Sequence, residues 1–120
     1  MSGKVSRAQR ERQGRRAEKL AAWWLRLRGW RILACRVKTP RGEIDLIARR
    51  WGTLAFVEVK WRARAENLET ALDEYRLRRV AAAAEALAHR YARAGDSIRV
   101  DVLLLAPGRF PRHITNAWQP

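Results

Sequence analysis

The sequence predicts an α/β fold in which a mixed central sheet is flanked by helices. Three observations carry the prediction. Residues 43–60 alternate as two strands about a glycine-containing turn. Apolar positions recur at helical spacing near 13–28 and again between about 67 and 94. The second helical stretch separates two strand-like runs, which permits a right-handed crossover and parallel pairing.

The elements follow in order. Residues 1–13 carry Lys4, Arg7, Arg10 and Arg12 and read as a basic flexible arm. Residues 14–120 read as one domain. Its first helix spans about Gln13 to Arg28, with Ala17, Leu20, Ala21, Trp24 and Leu25 as the apolar stripe and Gly29 as the stop. Residues 32–37 form a short strand, and Thr39-Pro40-Arg41-Gly42 turns the chain into the hairpin. The second helix starts at an Asn67 or Thr70 cap and ends at Ala94 before Gly95. Leu77, Val80, Ala84, Leu87 and Tyr91 are its buried face. Residues 98–105 give a further strand, with Asp101 a structural acid paired to Arg99 or a helix arginine. Residues 112–118 form one short strand or an extended tail.

Composition narrows the partners. Of 120 residues 48% are apolar, enough for one folded domain, and the net charge is +14. Such an excess points to a polyanion. Twenty-two of the 26 basic residues are arginine, whose guanidinium fork binds phosphate oxygens bidentately. Nucleic acid is therefore the expected partner. Arg15, Arg16, Arg41, Arg62, Arg64, Arg76 and Arg79 are assigned to phosphate contacts. Cys35 is the single cysteine, which excludes a disulfide framework and a thiolate zinc site. No run is apolar enough for a membrane span, so the expected location is the cytoplasm.

The hairpin carries the chemistry. Alternation puts Glu43, Asp45 and Ile47 on one side of the first strand, and Ile44 and Leu46 on the other. In the second strand Leu54, Phe56, Glu58 and Lys60 share a side, opposite Ala55, Val57 and Val59. A turn at 50–53 pairs Arg49 with Leu54, Ile47 with Phe56, Asp45 with Glu58 and Glu43 with Lys60. Facing carboxylates destabilise a sheet, and two such charges repel by about 1–4 kcal/mol. A divalent cation reverses that cost. Carboxylate oxygens suit Mg²⁺ or Mn²⁺, and arginines nearby suit phosphodiesters. Asp45 and Glu58 are the expected metal ligands. Lys60 would orient water or stabilise the transition state, and Glu43 would add a ligand through water or hold Lys60. Glu18, beside the first helix stripe, reaches either the site or a salt bridge with Arg15 or Arg16.

Asp45 followed by Glu58-Val59-Lys60 resembles the Asp…(Asp/Glu)-x-Lys signature of restriction-endonuclease-like nucleases. A longer string covers nearly the whole chain: Gly14-x-x-x-Glu18, Gly29-Trp30, Gly42-Glu-Ile-Asp-Leu-Ile-Ala48, Phe56-Val-Glu-Val-Lys60, Arg99-Val-Asp-Val102 and His113-Ile-Thr-Asn-Ala117. With these residues the chain resembles the YraN family of small bacterial proteins. The resemblance implies a restriction-endonuclease-like core of helix, three strands, helix and strand, similar to archaeal Holliday-junction resolvases. It assigns Asp45, Glu58 and Lys60 to the active site, with Glu18 and Glu43 as accessory acids and Glu18 as a third metal ligand. The chain departs from the family in carrying Trp61, where Thr or Arg is usual, and Arg76, where Lys is common.

Two functions remain in view. One is a Mg²⁺- or Mn²⁺-dependent endonuclease acting on DNA, branched or recombining, as a homodimer like the resolvases. Trp23, Trp51 and Trp118 are candidates for that interface or, equally, for the core. The other is a non-catalytic nucleic-acid-binding protein that keeps the fold.

Overall fold

A computed structural model describes residues 6–63 and 74–118. Helix α1 (Arg7–Leu27) precedes strands β1 (Arg31–Thr39), β2 (Gly42–Arg50) and β3 (Thr53–Trp61). Helix α2 (Glu74–Tyr91), β4 (Ser97–Leu105) and β5 (Arg112–Ile114) follow. The sheet runs β1-β2-β3-β4-β5, and only the β3–β4 pair is parallel. This is the mixed sheet flanked by helices that the pattern predicts, consistent with the restriction-endonuclease-like core and extended by β5.

Alternation along β3 divides the core. Leu54 and Phe56 pack with Leu77, Val80, Ala84 and Leu87 of α2, whereas Ala55 and Val57 pack with Ala17, Ala21, Ala22 and Leu25 of α1. The helices therefore cover opposite faces, and β3 is buried from both sides. Trp61 packs in the α1 layer, the core role its strand position implies.

Two helix boundaries differ from expectation. α1 begins at Arg7, not Gln13, because Ser6 and Gln9 form a reciprocal capping box. Residues 7–13 of the expected arm thus belong to the helix. Leu20 is 55% exposed, because α1 lays its narrow alanine face on the sheet and turns Leu20 aside. α2 ends at Tyr91, not Ala94; Asp96 accepts the Arg93 N–H at 2.6 Å and starts the turn through Gly95 at φ 87°. The expected Asn67 or Thr70 cap lies outside the described residues.

The hairpin keeps the expected register from Arg50–Thr53 to Leu46–Val57, closed by a two-residue turn in which Trp51 and Gly52 both have positive φ. On the other side of β2, Leu33 is an extra residue in the ladder, and Arg36 has φ 52°. Next to this irregularity the alternation of β2 fails. Ile44 packs in the α2 layer with Ile47 instead of sharing a face with Leu46.

Candidate active site: an acid cleft at a splayed strand pair

The described β2–β3 ladder ends at Leu46–Val57. In an unbroken register the Val59 N–H would go to the Ile44 carbonyl. Instead it donates to Asp45 Oδ2 at 2.8 Å. The expected main-chain pairs Asp45–Glu58 and Glu43–Lys60 are therefore replaced by a side-chain bridge, and the strands part. β3 continues beside β4 to Trp61, so Glu58 and Lys60 stay on rigid sheet.

The parting opens a cleft of about 320 Å³ lined by Gly42, Glu43, Asp45, Glu58, Arg76, Arg79 and Val80. Three expected acids and two expected arginines meet there. Gly42 has a packing reason. A Cβ at this position would stand 3.0 Å from the Arg79 carbonyl oxygen, so a side chain would push α2 off β2.

Lys60 is buried, and its Nζ lies 3.0 Å from Glu58 Oε1. A buried ammonium needs that partner. Lys60 is thus tied to Glu58 and not across the hairpin to Glu43, which is exposed on the cleft rim. Arg76 Nη1 approaches the same Glu58 oxygen at 3.9 Å. Glu18 bonds Arg36 Nε at 2.5 Å, so the alternative partners Arg15 and Arg16 are not the ones it takes.

Asp45 is half-buried, and its carboxyl is pushed up from 3.8 to about 7. Loss of solvent is the largest cause; the Val59 N–H opposes it, and the charges of Glu18 and Glu58 add to it against Lys60. The acids of α1, β2 and β3 therefore sense one another. Among the described residues no three His, Cys, Asp or Glu side chains group closely enough to hold a metal by themselves. Magnesium-class ions are commonly bound through one or two carboxylates, retained waters and substrate phosphate oxygens. Asp45 and Glu58, hard oxygen donors on one cleft, fit that requirement; Glu43 lines the same cleft, and Glu18 acts on Asp45 through its charge while bonded to Arg36.

Of the remaining assigned arginines, the four that are described lie outside the cleft. Arg15 and Arg16 are exposed on α1, Arg41 is exposed in the β1–β2 turn, and Arg62 donates from Nη1 to the Trp61 carbonyl at 2.9 Å. Arg64 lies outside the described residues. Arg36 was not singled out in sequence. Its guanidinium is held more firmly protonated by Glu18 first, then by Glu43 and Asp45, against its own desolvation. Only the positive φ and the ladder irregularity of β1 bring it there, and neither leaves a sign in the residue string.

Asp101 is structural, as expected, and fully buried. It accepts from Arg99 Nη2 at 2.9 Å and the Asn116 N–H at 2.9 Å, and lies 2.8 Å from His113 Nε2. Burial pushes this carboxyl up, but His113, Arg99 and Asn116 together outweigh that and hold it low. The helix-arginine alternative is not used.

A basic α/β domain with a carboxylate–lysine cleft is the class that fold and site define. The model of the uncharacterised protein family UPF0102 matches residues 17–105, and the chain belongs to that family. It is 63% identical to a UPF0102 protein of Sphingopyxis alaskensis over 116 residues, 97% of this chain and all of the relative. A UPF0102 protein of Erythrobacter litoralis is 67% identical over 110 residues, 92% of this chain and 95% of the relative. One from a Caulobacter species is 52% identical over 106 residues, covering 88% and 76%. Among the described residues no helix is long and apolar enough to cross a membrane.

Proposed function

We propose that this chain is a divalent-metal-dependent endonuclease of the restriction-endonuclease-like type, acting on DNA phosphodiester bonds. One observation carries the reading: β2 and β3 part at Asp45, and the parting sets Asp45, Glu58 and the Lys60–Glu58 pair over a cleft rimmed by Arg76 and Arg79. Arginines draw the phosphate backbone to a place that acids alone would repel. Asp45 and Glu58 would hold Mg²⁺ or Mn²⁺, which when bound offsets phosphate charge and makes water a better nucleophile. Lys60 presents a fixed ammonium beside Glu58, suited to orient that water and to meet charge developing on phosphate oxygen. Arg76 and Arg79 position the strand, and Glu43 on the rim is placed to work through water.

Binding without cutting is the second reading. It is favoured by the engagement of Glu18 with Arg36 and of Glu58 with Lys60. Labelled linear, single-stranded and four-way-junction DNA, incubated with Mn²⁺, Mg²⁺ or EDTA, separates the two. Cutting that needs metal and disappears in Asp45→Asn supports the nuclease. Equal binding by both proteins with no cutting in any metal supports the binder.

A further inference from the structure

The charge of the chain extends far beyond the acid cleft. On the α1 side of the sheet lies a second recess, of about 350 Å³, whose lining includes Trp24, Arg28, Trp30 and Arg50 and no carboxylate. Rings and guanidiniums alternate there. Phe110 lies 6.1 Å from Trp24, Arg28 sits 4.3 Å over Trp24, and Arg50 sits 4.7 Å over Trp30 and 5.2 Å over Trp51. Asp101, which contacts the lining residue His113, is fully buried and engaged by Arg99 and His113. The outer surface is therefore cationic and aromatic together.

Two of the rings are placed at a cost that folding does not explain. Trp51 is 90% exposed at the tip of the β2–β3 turn, with φ 44°. Turns of this type favour Asn, Asp or Gly at that position, because a bulky side chain strains the left-handed backbone. Phe110 is 85% exposed on the segment leading into β5. Neither ring buries its faces in the core. Exposed rings with guanidiniums beside them match what unpaired nucleobases require: a π face to stack on and a cation for the adjoining phosphate. A duplex offers its bases to no such platform.

We infer that the Trp24–Arg28–Trp30–Arg50 recess, with Trp51 and Phe110 at its edges, is a second nucleic-acid site that takes unpaired, single-stranded DNA. It rests on the reading of the chain as a DNA-acting protein and specifies where a frayed or branched strand would go. Asp45 and Arg50 are five residues apart on β2, about 17 Å along the strand, so a substrate that occupies both places passes around the edge of the sheet. The acid cleft engages the phosphodiester from the α2 side, and the recess holds bases freed from pairing on the other.

The test is fluorescence anisotropy in EDTA, with labelled oligothymidylate and labelled duplex, on the full chain and on Trp51→Ala/Phe110→Ala. Both rings are solvent-exposed, so the variant should melt as the parent does, and Trp51→Phe should retain binding. The expected result is about a tenfold or greater loss of single-strand affinity with duplex affinity unchanged. Equal single-strand affinity in parent and variant overturns the recess and leaves the acid cleft standing. An equal loss on both DNAs overturns it too, since rings that stack on unpaired bases would not be needed for duplex. A dimer in sedimentation that the variant abolishes would instead assign the rings to a second copy. A parent that binds neither DNA in EDTA overturns this inference, while metal-dependent cutting decides the nuclease reading separately.

Discussion

The Val59 N–H donates to the Asp45 carboxylate at 2.8 Å, so a side chain of β2 stands where the main chain would have closed the ladder. One hydrogen bond thereby unites two properties. It ends the pairing of β2 and β3, and it fixes a half-buried acid in the space that the parted strands create. Asparagine can accept the same N–H, which lets the acid's charge be removed while the geometry stays.

Stability of Asp45→Asn should depend on pH. The folded carboxyl is raised to about 7 from an unfolded value near 4, so ionising it costs folding energy. Below about pH 4 both states are protonated and there is no cost. The cost grows as pH rises from 4 to 7 and is complete above 7. Melts in EDTA should show the variant more stable by roughly 1–3 kcal/mol at pH 8 and equal to the parent near pH 4. A variant less stable at pH 8 would show that the carboxylate is already compensated without metal.

Lys60→Met keeps the apolar stem and removes the ammonium. Cleavage should fall about 10²- to 10³-fold. Mn²⁺ affinity should hold or tighten, because Glu58 loses a competing cation. Parallel single-turnover rates and Mn²⁺ titrations check this. Unchanged cleavage would remove Lys60 from the reaction.

Gly42→Ala should destabilise the chain by about 1–3 kcal/mol, since the new Cβ would meet backbone, the Arg79 carbonyl at 3.0 Å, and not a yielding side chain. Because α2 carries Arg76 and Arg79 over the cleft, DNA affinity should fall as well. Denaturant unfolding and anisotropy on the same sample measure both effects.

Asp101→Asn should cost about 3 kcal/mol, because it unbalances a buried acid that holds Arg99, His113 and the Asn116 N–H. The acid's folded value lies below its unfolded one. Its contribution is therefore present above about pH 4 and is lost as pH falls through the folded value. The variant's deficit, measured by urea unfolding, should shrink toward pH 3.

How much of this was legible in the residue string depends on what each feature rests on. Strand alternation and turn length are local, so the register Arg49–Leu54 and Ile47–Phe56 could be read directly. Strand alternation could place Asp45 and Glu58 toward one another, but the cleft they share with Glu43 opens only where that register stops at Leu46–Val57. The Ile44 face, the Glu18–Arg36 pair and the burial of Lys60 against Glu58 were not legible. Each depends on where β1 gains its extra residue or where β2 and β3 part, and those are consequences of three-dimensional packing. The early start of α1 had a local sign, Ser6 with Gln9 three residues on, which the density of arginines obscured.

The central claim is that Asp45 and Glu58 together hold a divalent cation. Free Mn²⁺, counted by electron paramagnetic resonance in the presence of uncleaved junction DNA, tests it most directly. The account predicts saturable binding by the parent, binding retained in Glu43→Gln, and binding abolished in both Asp45→Asn and Glu58→Gln. Identical Mn²⁺ uptake by all four proteins would contradict it.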